Sequence, residues 1–229
     1  MKEKKLSNRE FAKIFDSVAE KFDEISNTYT VLRRYNEIIK SVKGNCLEVG
    51  AGTGNMISLT KNKKDYLLSD ISFKMCKVSK QKYHCNTVCC DAEKLPFSDN
   101  TFDTIISSET IYILDHPQYF VKEAFRVLKD KGILIITVAN QDMIIYDRVR
   151  AVLRSIGLSN MYFDDGVRSF MKLSELKNLL NKNKFRIKIE KKIILFPFKH
   201  LHRLNLMIEK TFLSYFSIFN LIVAEKVSK

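Results

Sequence analysis

Cys46-Leu47-Glu48-Val49-Gly50-Ala51-Gly52-Thr53-Gly54-Asn55 decides how this chain reads, because three of its seven glycines fall in this one loop. A short apolar run (Cys46, Leu47, Val49) precedes them, and Met56, Ile57 and Leu59 follow. That order predicts strand, tight turn and helix start. Glycine reaches positive φ and lets a ligand approach the backbone closely. A helix N-terminus behind the turn would add unpaired N–H groups and partial positive charge. A dinucleotide site asks for G-x-G-x-x-G, whereas the spacing here is G-x-G-x-G, with Asn55 where the third glycine would stand. A phosphate loop asks for Lys followed by Ser or Thr, and Asn55-Met56 supplies neither. Glu48, two residues before the first glycine, would repel a pyrophosphate and suit a cationic group such as an α-ammonium. The loop therefore reads as a site for a ligand with a positively charged end.

Outward from the loop, apolar runs alternate with helical periodicity. Strands are expected near 45–49, 65–69, 86–90, 102–107 and 132–139, and helices near 54–62, 72–82 and 117–129. Such alternation predicts an α/β fold, a parallel sheet with helices on both faces. Upstream, Phe11, Ile14, Phe15, Val18 and Phe22 recur three and four apart, one face of a helix. A second helix over Tyr29–Val42 would turn Leu32, Tyr35, Ile38 and Ile39 inward. Residues 1–43 thus read as an N-terminal helical cover and 44–229 as a single structural unit. Further on, 142–156 looks helical, Asp164-Asp165-Gly166 reads as a turn, and Leu173–Asn181 as a helix. Phe185–Phe196 reads as a strand, 200–214 as an amphipathic helix and Phe216–Ala224 as a closing strand.

Bulk properties exclude several classes. The N-terminus is polar and carries Glu3 and Glu10, unlike a signal peptide. The longest weakly charged stretch, Thr211–Ala224, is too short and polar to cross a bilayer. Five cysteines without paired spacing argue against a disulfide framework and for a reducing, cytoplasmic setting. His84, Cys85, Cys89 and Cys90 would split between two strand faces, so no metal site is expected. The net charge of +13 is uneven: residues 172–229 hold thirteen Lys or Arg against four Glu. That field favours an anionic partner or marks a solvated surface.

E-x-G-x-G-x-G after a strand resembles motif I of the class I S-adenosylmethionine-dependent methyltransferases, the small-molecule, quinone and biotin-pathway type in particular. Asp70 closes the strand Tyr66-Leu67-Leu68, Cys90-Asp91-Ala92 follows the run around Val88, and Leu95-Pro96-Phe97-Ser98-Asp99-Asn100-Thr101-Phe102-Asp103 leads into the fourth strand. Glu123–Gly132 resembles the family's turn into the fifth strand, and Phe15–Asp23 resembles its F-x-x-x-A-x-x-Y-D opening, with Phe22 in place of Tyr. The resemblance spans about residues 9–140. It implies a Rossmann-like, seven-stranded, mostly parallel sheet whose last strand is antiparallel, and S-adenosylmethionine as cofactor. Glu48, Gly50, Gly52, Gly54, Asp70, Ile71, Asp91, Ala92 and Ser107 would bind it. Asp70 would take the ribose hydroxyls, and Asp91 with the Ala92 N–H the adenine. The plain reading of Asp70 and Asp91 as helix caps stays open beside this one.

Ligands in such sheets bind beyond the carboxyl ends of the strands. The acceptor side would then draw on Ser107, Ser108, Glu109, Tyr112, Asp115, His116, Asn140 and Tyr146, with Tyr29 from the cover. Glu109 and His116 are the base candidates by chemistry, although His116-Pro117 also reads as a turn and Glu109 as a helix-start acid. Tyr29, Tyr112, Asn140 and Tyr146 are the candidates for the acceptor. Ser107-Ser108-Glu109-Thr110 is not an N-P-P-Y-type tetrapeptide, which argues against amino-methylation of adenine in nucleic acid or of glutamine in protein. The expectation is methyl transfer to a small, apolar or lipid-like acceptor, with peripheral membrane contact through the basic C-terminal region. The alternatives are an RNA methyltransferase and a non-catalytic cofactor-binding protein of the same fold.

Overall fold

The computed structural model describes residues 6–25, 28–60, 63–140 and 171–227. Seven strands, β1 (Cys46–Val49), β2 (Tyr66–Asp70), β3 (Asn86–Cys89), β4 (Phe102–Ser108), β5 (Leu128–Ala139), β6 (Phe185–Ile193) and β7 (Phe219–Lys226), form one sheet. Their order is β3-β2-β1-β4-β5-β7-β6. β1 to β5 pair in parallel, and β7 inserts antiparallel between β5 and β6. The expected Rossmann-like sheet with its antiparallel last strand is the one observed.

The period of two along β1 sends its residues to opposite layers. Leu47 and Val49 join the layer of Phe120, Val121, Ala124, Leu176 and Leu180. Cys46 joins the other, with Tyr66, Leu68, Met56 and Ile38. Glu48, alternating with Leu47 and Val49, is an acid carried into that second apolar layer.

Helices α1 (Asn8–Val18), α2 (Phe22–Ile25) and α3 (Thr28–Ile38) form the N-terminal cover; α4 (Phe73–Tyr83), α5 (Pro117–Val127), α6 (Leu173–Lys182) and α7 (His202–Ile208) complete the helices. Local chemistry sets their ends. Ser7 and Glu10 make a capping box for α1. Ser72 caps α4 by accepting from the Met75 N–H, and Pro117 opens α5 at a position where its missing donor costs nothing.

Three expectations fail. The helix expected over 54–62 is a 3-10 turn, Asn55–Leu59. Ser58 and Thr60 bond the carbonyls of Asn55 and Ile57 instead, and Asn, Ser and Thr are poor helix formers for that reason. No helix dipole therefore stands behind the glycine loop. The helix expected over 200–214 is cut to α7 flanked by 3-10 turns, because Thr211 turns back on the Ile208 carbonyl and caps a new turn at Leu213. On α3, Leu32 is 40 % exposed, whereas Arg33, Arg34 and Glu37 are buried. Arg33 bonds Glu37 on its own helix and, at 2.6 Å, Glu209 just after α7. Lys191 adds a bond to Glu37 at 2.8 Å. The expected features of 142–156 and 164–166 lie outside the described residues.

Candidate functional site

The sheet reverses direction between β1 and β4: from β1 the chain runs outward to β2 and β3, and then returns to β4 on its other side. A crevice beyond the strand ends opens at such a switch point, and the glycine loop sits there. The Gly50 and Ala51 N–H groups both donate to the Ser69 carbonyl at 2.9 Å. Asp70 accepts from the Gly52 N–H at 2.8 Å and from the Ser72 N–H at 2.9 Å. Asp70 is therefore not the cap of α4, a role Ser72 fills; it ties the end of β2 to the glycine loop. Burial raises its pKa against the bonds from Ser72 and Gly52.

The glycines differ in what they do. Gly50 sits at φ 73°, and a Cβ there would lie 2.2 Å from the Thr110 Oγ1, on a buried, branched side chain with no room to swing. Gly50→Ala is expected to lower stability by about 2–4 kcal/mol, the left-handed strain plus overpacking, measured as the midpoint shift in urea unfolding. At Gly52 a Cβ would meet only the Phe22 ring edge, at 3.7 Å. A side chain at Gly52 would thus meet no clash, only ordinary contact with the Phe22 ring of the N-terminal helices.

Glu48 is buried and accepts from the Tyr66 hydroxyl at 2.9 Å. Burial pushes its carboxyl up to about 8, more than that hydrogen bond and Arg34 draw it down. A cation delivered to it would reverse that penalty. Half-buried Asp91 accepts from the Glu93 N–H at 2.9 Å and, at 3.3 Å to each oxygen, from the Asn8 side-chain amide. Ala92 is buried behind it, and Ile71 is half-buried beside Asp70.

The cover is fastened to this rim at three points. Asn8 holds Asp91 and Glu93 and exchanges two bonds with Asp115. Asp16 accepts from the Ser72 hydroxyl and the Lys74 N–H. Asp23 accepts from Thr53, Asn55 and Lys82. Burial opposes the Asp23 carboxylate, but those bonds outweigh it and hold its pKa below the usual value.

On the other side of the switch point, Glu109 follows β4 at φ 58°, an uncommon conformation for a non-glycine residue. Its N–H donates to the Thr137 carbonyl on β5. One carboxylate oxygen accepts from the Tyr112 hydroxyl at 3.2 Å, while Oε1 is buried without a hydrogen bond of normal geometry. Burial raises the Glu109 pKa, against the charge of Arg34. The Arg34 Nε donates to the Ser108 Oγ at 3.1 Å, and its guanidinium lies 4.7 Å from the centre of the Phe219 ring. The Ser107 hydroxyl is buried with no hydrogen-bond partner among the described residues. A carboxyl, a guanidinium, a phenol and the Ser108 hydroxyl thus gather at the ends of β4 and β5, while Ser107 alternates to the other face of the sheet.

His116 stands apart. It is 55 % exposed on its side chain, paired to Glu93 at 3.2 Å and placed at the start of α5, as the turn reading has it. Tyr29 accepts from the Asn205 amide, and the Asn140 Nδ2 donates to the Tyr215 and Ser217 carbonyls, so both reach the C-terminal turn. Tyr146 lies outside the described residues. The sequence reading missed Arg34, Asn8, Asp16 and Asp23. Asp16 and Asp23 stand within the quoted Phe15–Asp23 stretch, a signal that could have found them; Arg34 and Asn8 carry none.

The depression lined by Lys43, Gly44, Asp103 and Lys131 lies at the opposite end of the strands. Asp103 there is committed to the Asn45 N–H and to Lys129.

Residues 47–136 match the model of a family described as a methyltransferase domain. A ubiquinone/menaquinone biosynthesis C-methyltransferase of Rickettsia prowazekii is 32% identical over 139 residues, 52% of this chain and 56% of that protein. The chain spans about half the length of the curated relatives it matches. Among solved structures, a SAM-dependent methyltransferase of Thermotoga maritima superposes with TM-score 0.68 at 20% identity, over 94% of this chain and 99% of that one. The [4+2]-cyclase SpnF superposes with TM-score 0.69 at 16% identity, over 97% of each chain. At these identities the structural neighbours speak for the fold.

Proposed function

We propose that this chain is a class I S-adenosylmethionine-dependent methyltransferase that transfers a methyl group to a small, apolar or lipid-like acceptor, a reading supported by the methyltransferase-domain match over residues 47–136. The observation that carries the cofactor half is the donor set at the switch point. An acid raised to about 8 by burial, Glu48, stands before a glycine loop with bare backbone at Gly52, and Asp70 and Asp91 line the same rim. These groups fit an amino acid's ammonium on one side and a nucleoside's hydroxyls and amine on the other. Glu48, Gly52, Asp70, Ile71, Asp91, Ala92 and Ser107 would hold it. When bound, S-adenosylmethionine supplies an electrophilic methyl on a sulfonium.

The chain's own work is alignment, exclusion of water and, where the nucleophile carries a proton, its removal. The cover fastened by Asn8, Asp16 and Asp23 closes the crevice against solvent. Glu109 is the base in this reading: its raised pKa favours taking a proton, and Tyr112 and Arg34 steady its charged form. Apolar surroundings from Tyr35 and Phe219 favour an apolar acceptor. Membrane contact through the basic C-terminal region belongs to the same reading. The cyclase among the structural neighbours is a reminder that fold alone does not choose the chemistry.

Titration calorimetry with S-adenosylhomocysteine tests the cofactor half. Glu48→Gln and Asp70→Asn are each expected to weaken binding by about 1–3 kcal/mol, the scale of a charged hydrogen bond. At neutral pH the wild type should release protons on binding, because the ligand's ammonium lowers the raised Glu48 pKa, and Glu48→Gln should not. Wild-type affinity in both variants would remove the site from this crevice. Tight binding with no product on any apolar acceptor would favour the non-catalytic alternative.

A further inference from the structure

The segment between β6 and β7 carries a surface that the chemistry above leaves unused. Phe198, Leu204, Met207, Phe212, Tyr215 and Phe216 are all exposed there, Met207 by 68% and Phe212 by 84%. They lie on α7 and the turns on either side of it, which pack on one another. Single exposed apolar residues are ordinary, but a contiguous cluster marks an interaction face.

The exposed charges along this segment have one sign. Lys192, Lys199, Arg203 and Lys210 interleave in sequence with the exposed apolar residues, and Lys199, Arg203 and Lys210 are themselves exposed. Residues 191–216 contain a single acid, Glu209, whose side chain is 3% exposed and turned onto Arg33. Lys192 Nζ lies 4.0 Å from the centre of the Tyr215 ring. A protein partner would ordinarily be met by charges of mixed sign. A cationic rim around aromatic and aliphatic side chains complements anionic headgroups above acyl chains. No helix among the described residues is long and apolar enough to cross a membrane, so the contact is peripheral.

The patch is rigidly mounted. The Asn205 side chain accepts from the Leu195 and Phe196 N–H groups and donates to the Phe196 carbonyl and the Tyr29 hydroxyl. Asn140, just past β5, holds the Tyr215 and Ser217 carbonyls. The same strand end receives the Glu109 N–H at Thr137. The exposed cluster is therefore fixed to the end of the sheet where the acceptor candidates gather.

We infer that this face docks on an anionic phospholipid bilayer and that the acceptor is drawn from that surface. The inference rests on the reading of a lipid-like acceptor, and vesicle binding without cofactor or acceptor tests it separately. Flotation of the chain with phosphatidylcholine vesicles, alone or mixed with phosphatidylglycerol, is the measurement. Binding to the mixed vesicles should exceed binding to phosphatidylcholine by about tenfold or more at low salt, as several surface cations predict. Met207→Ser with Phe212→Ser, and separately Arg203→Glu with Lys210→Glu, should each lower it by about tenfold or more. All four side chains are exposed, so circular dichroism should show intact folding. Absence of the wild type from the anionic vesicles would overturn the proposal. So would a dimer, seen by light scattering, that Phe212→Ser dissociates while vesicle binding persists unchanged. Either result would leave S-adenosylhomocysteine binding untouched, and a failure of cofactor binding would leave the vesicle result standing.

Discussion

Glu109→Gln should lower the rate of methyl transfer by about 10²–10⁴-fold, the range for losing a positioned base, while S-adenosylhomocysteine affinity stays near wild type. The variant keeps the shape and the Tyr112 contact but not the proton acceptor. In the wild type the acid limb of the rate profile should lie above the usual carboxylate range, because burial raises the Glu109 pKa and the base works only when ionised. Glu109→Gln should flatten that limb. His116→Gln, at an exposed ring paired to Glu93, should leave it in place. Single-turnover rates in Glu109→Gln within a few-fold of wild type would reassign the base, or show that the acceptor needs none.

The largest stability effect is expected at Arg33→Ala. The Arg33 and Glu209 side chains are 5% and 3% exposed, and the guanidinium joins α3 to the residues after α7. Removing Arg33 leaves Glu37 to Lys40 and Lys191, and buried Glu209 with only the Ile194 N–H and Lys191 at 3.7 Å, at a cost of about 3–5 kcal/mol. For a chain of this size that is a fall in melting temperature of roughly 10 °C. The same cluster gives a pH signature. Burial opposes the Glu37 carboxylate, but Lys191, Lys40 and Arg33 together bring its pKa to about 2 from 4.5. A depressed folded pKa contributes stability above the unfolded value. The contribution should be intact above pH 4.5 and lost as the pH falls through 2, and Arg33→Ala should shrink it. Urea midpoints across that window, unchanged between variant and wild type, would show that the cluster does not couple the two segments.

This cluster also shows why part of the fold was illegible in the sequence. Strands and the glycine loop announce themselves locally, by apolar runs and by residues that only certain turns tolerate. The order of Glu48, Gly50, Asp70 and Asp91 along the chain was therefore legible in the sequence, and the structure places Gly50, Gly52 and Asp70 side by side where β1 and β2 end. The inner face of α3 did not announce itself, because periodicity assigns Leu32 inward and arginine outward. The opposite holds because Glu209 lies far along the chain and nothing local signals that it neutralises Arg33. Arg34 was hidden for the same reason. The 3-10 turn at Asn55–Leu59 was misread as a helix from its apolar spacing, although its Ser and Thr hydroxyls compete for the backbone carbonyls. An amphipathic helix over 200–214 would bury one face; Met207 and Phe212 are exposed because the helix ends at Ile208.

Strand β7 lies between β5 and β6 and bonds to both. During translation, one edge of β5 and the partner edge of β6 must wait until residues 219–226 leave the ribosome. Until then the nascent chain shows two unsatisfied ladders, each able to recruit a stranger's backbone. The interval after β6 has emerged and before β7 follows it would therefore be the moment of greatest aggregation hazard, when a chaperone would matter most.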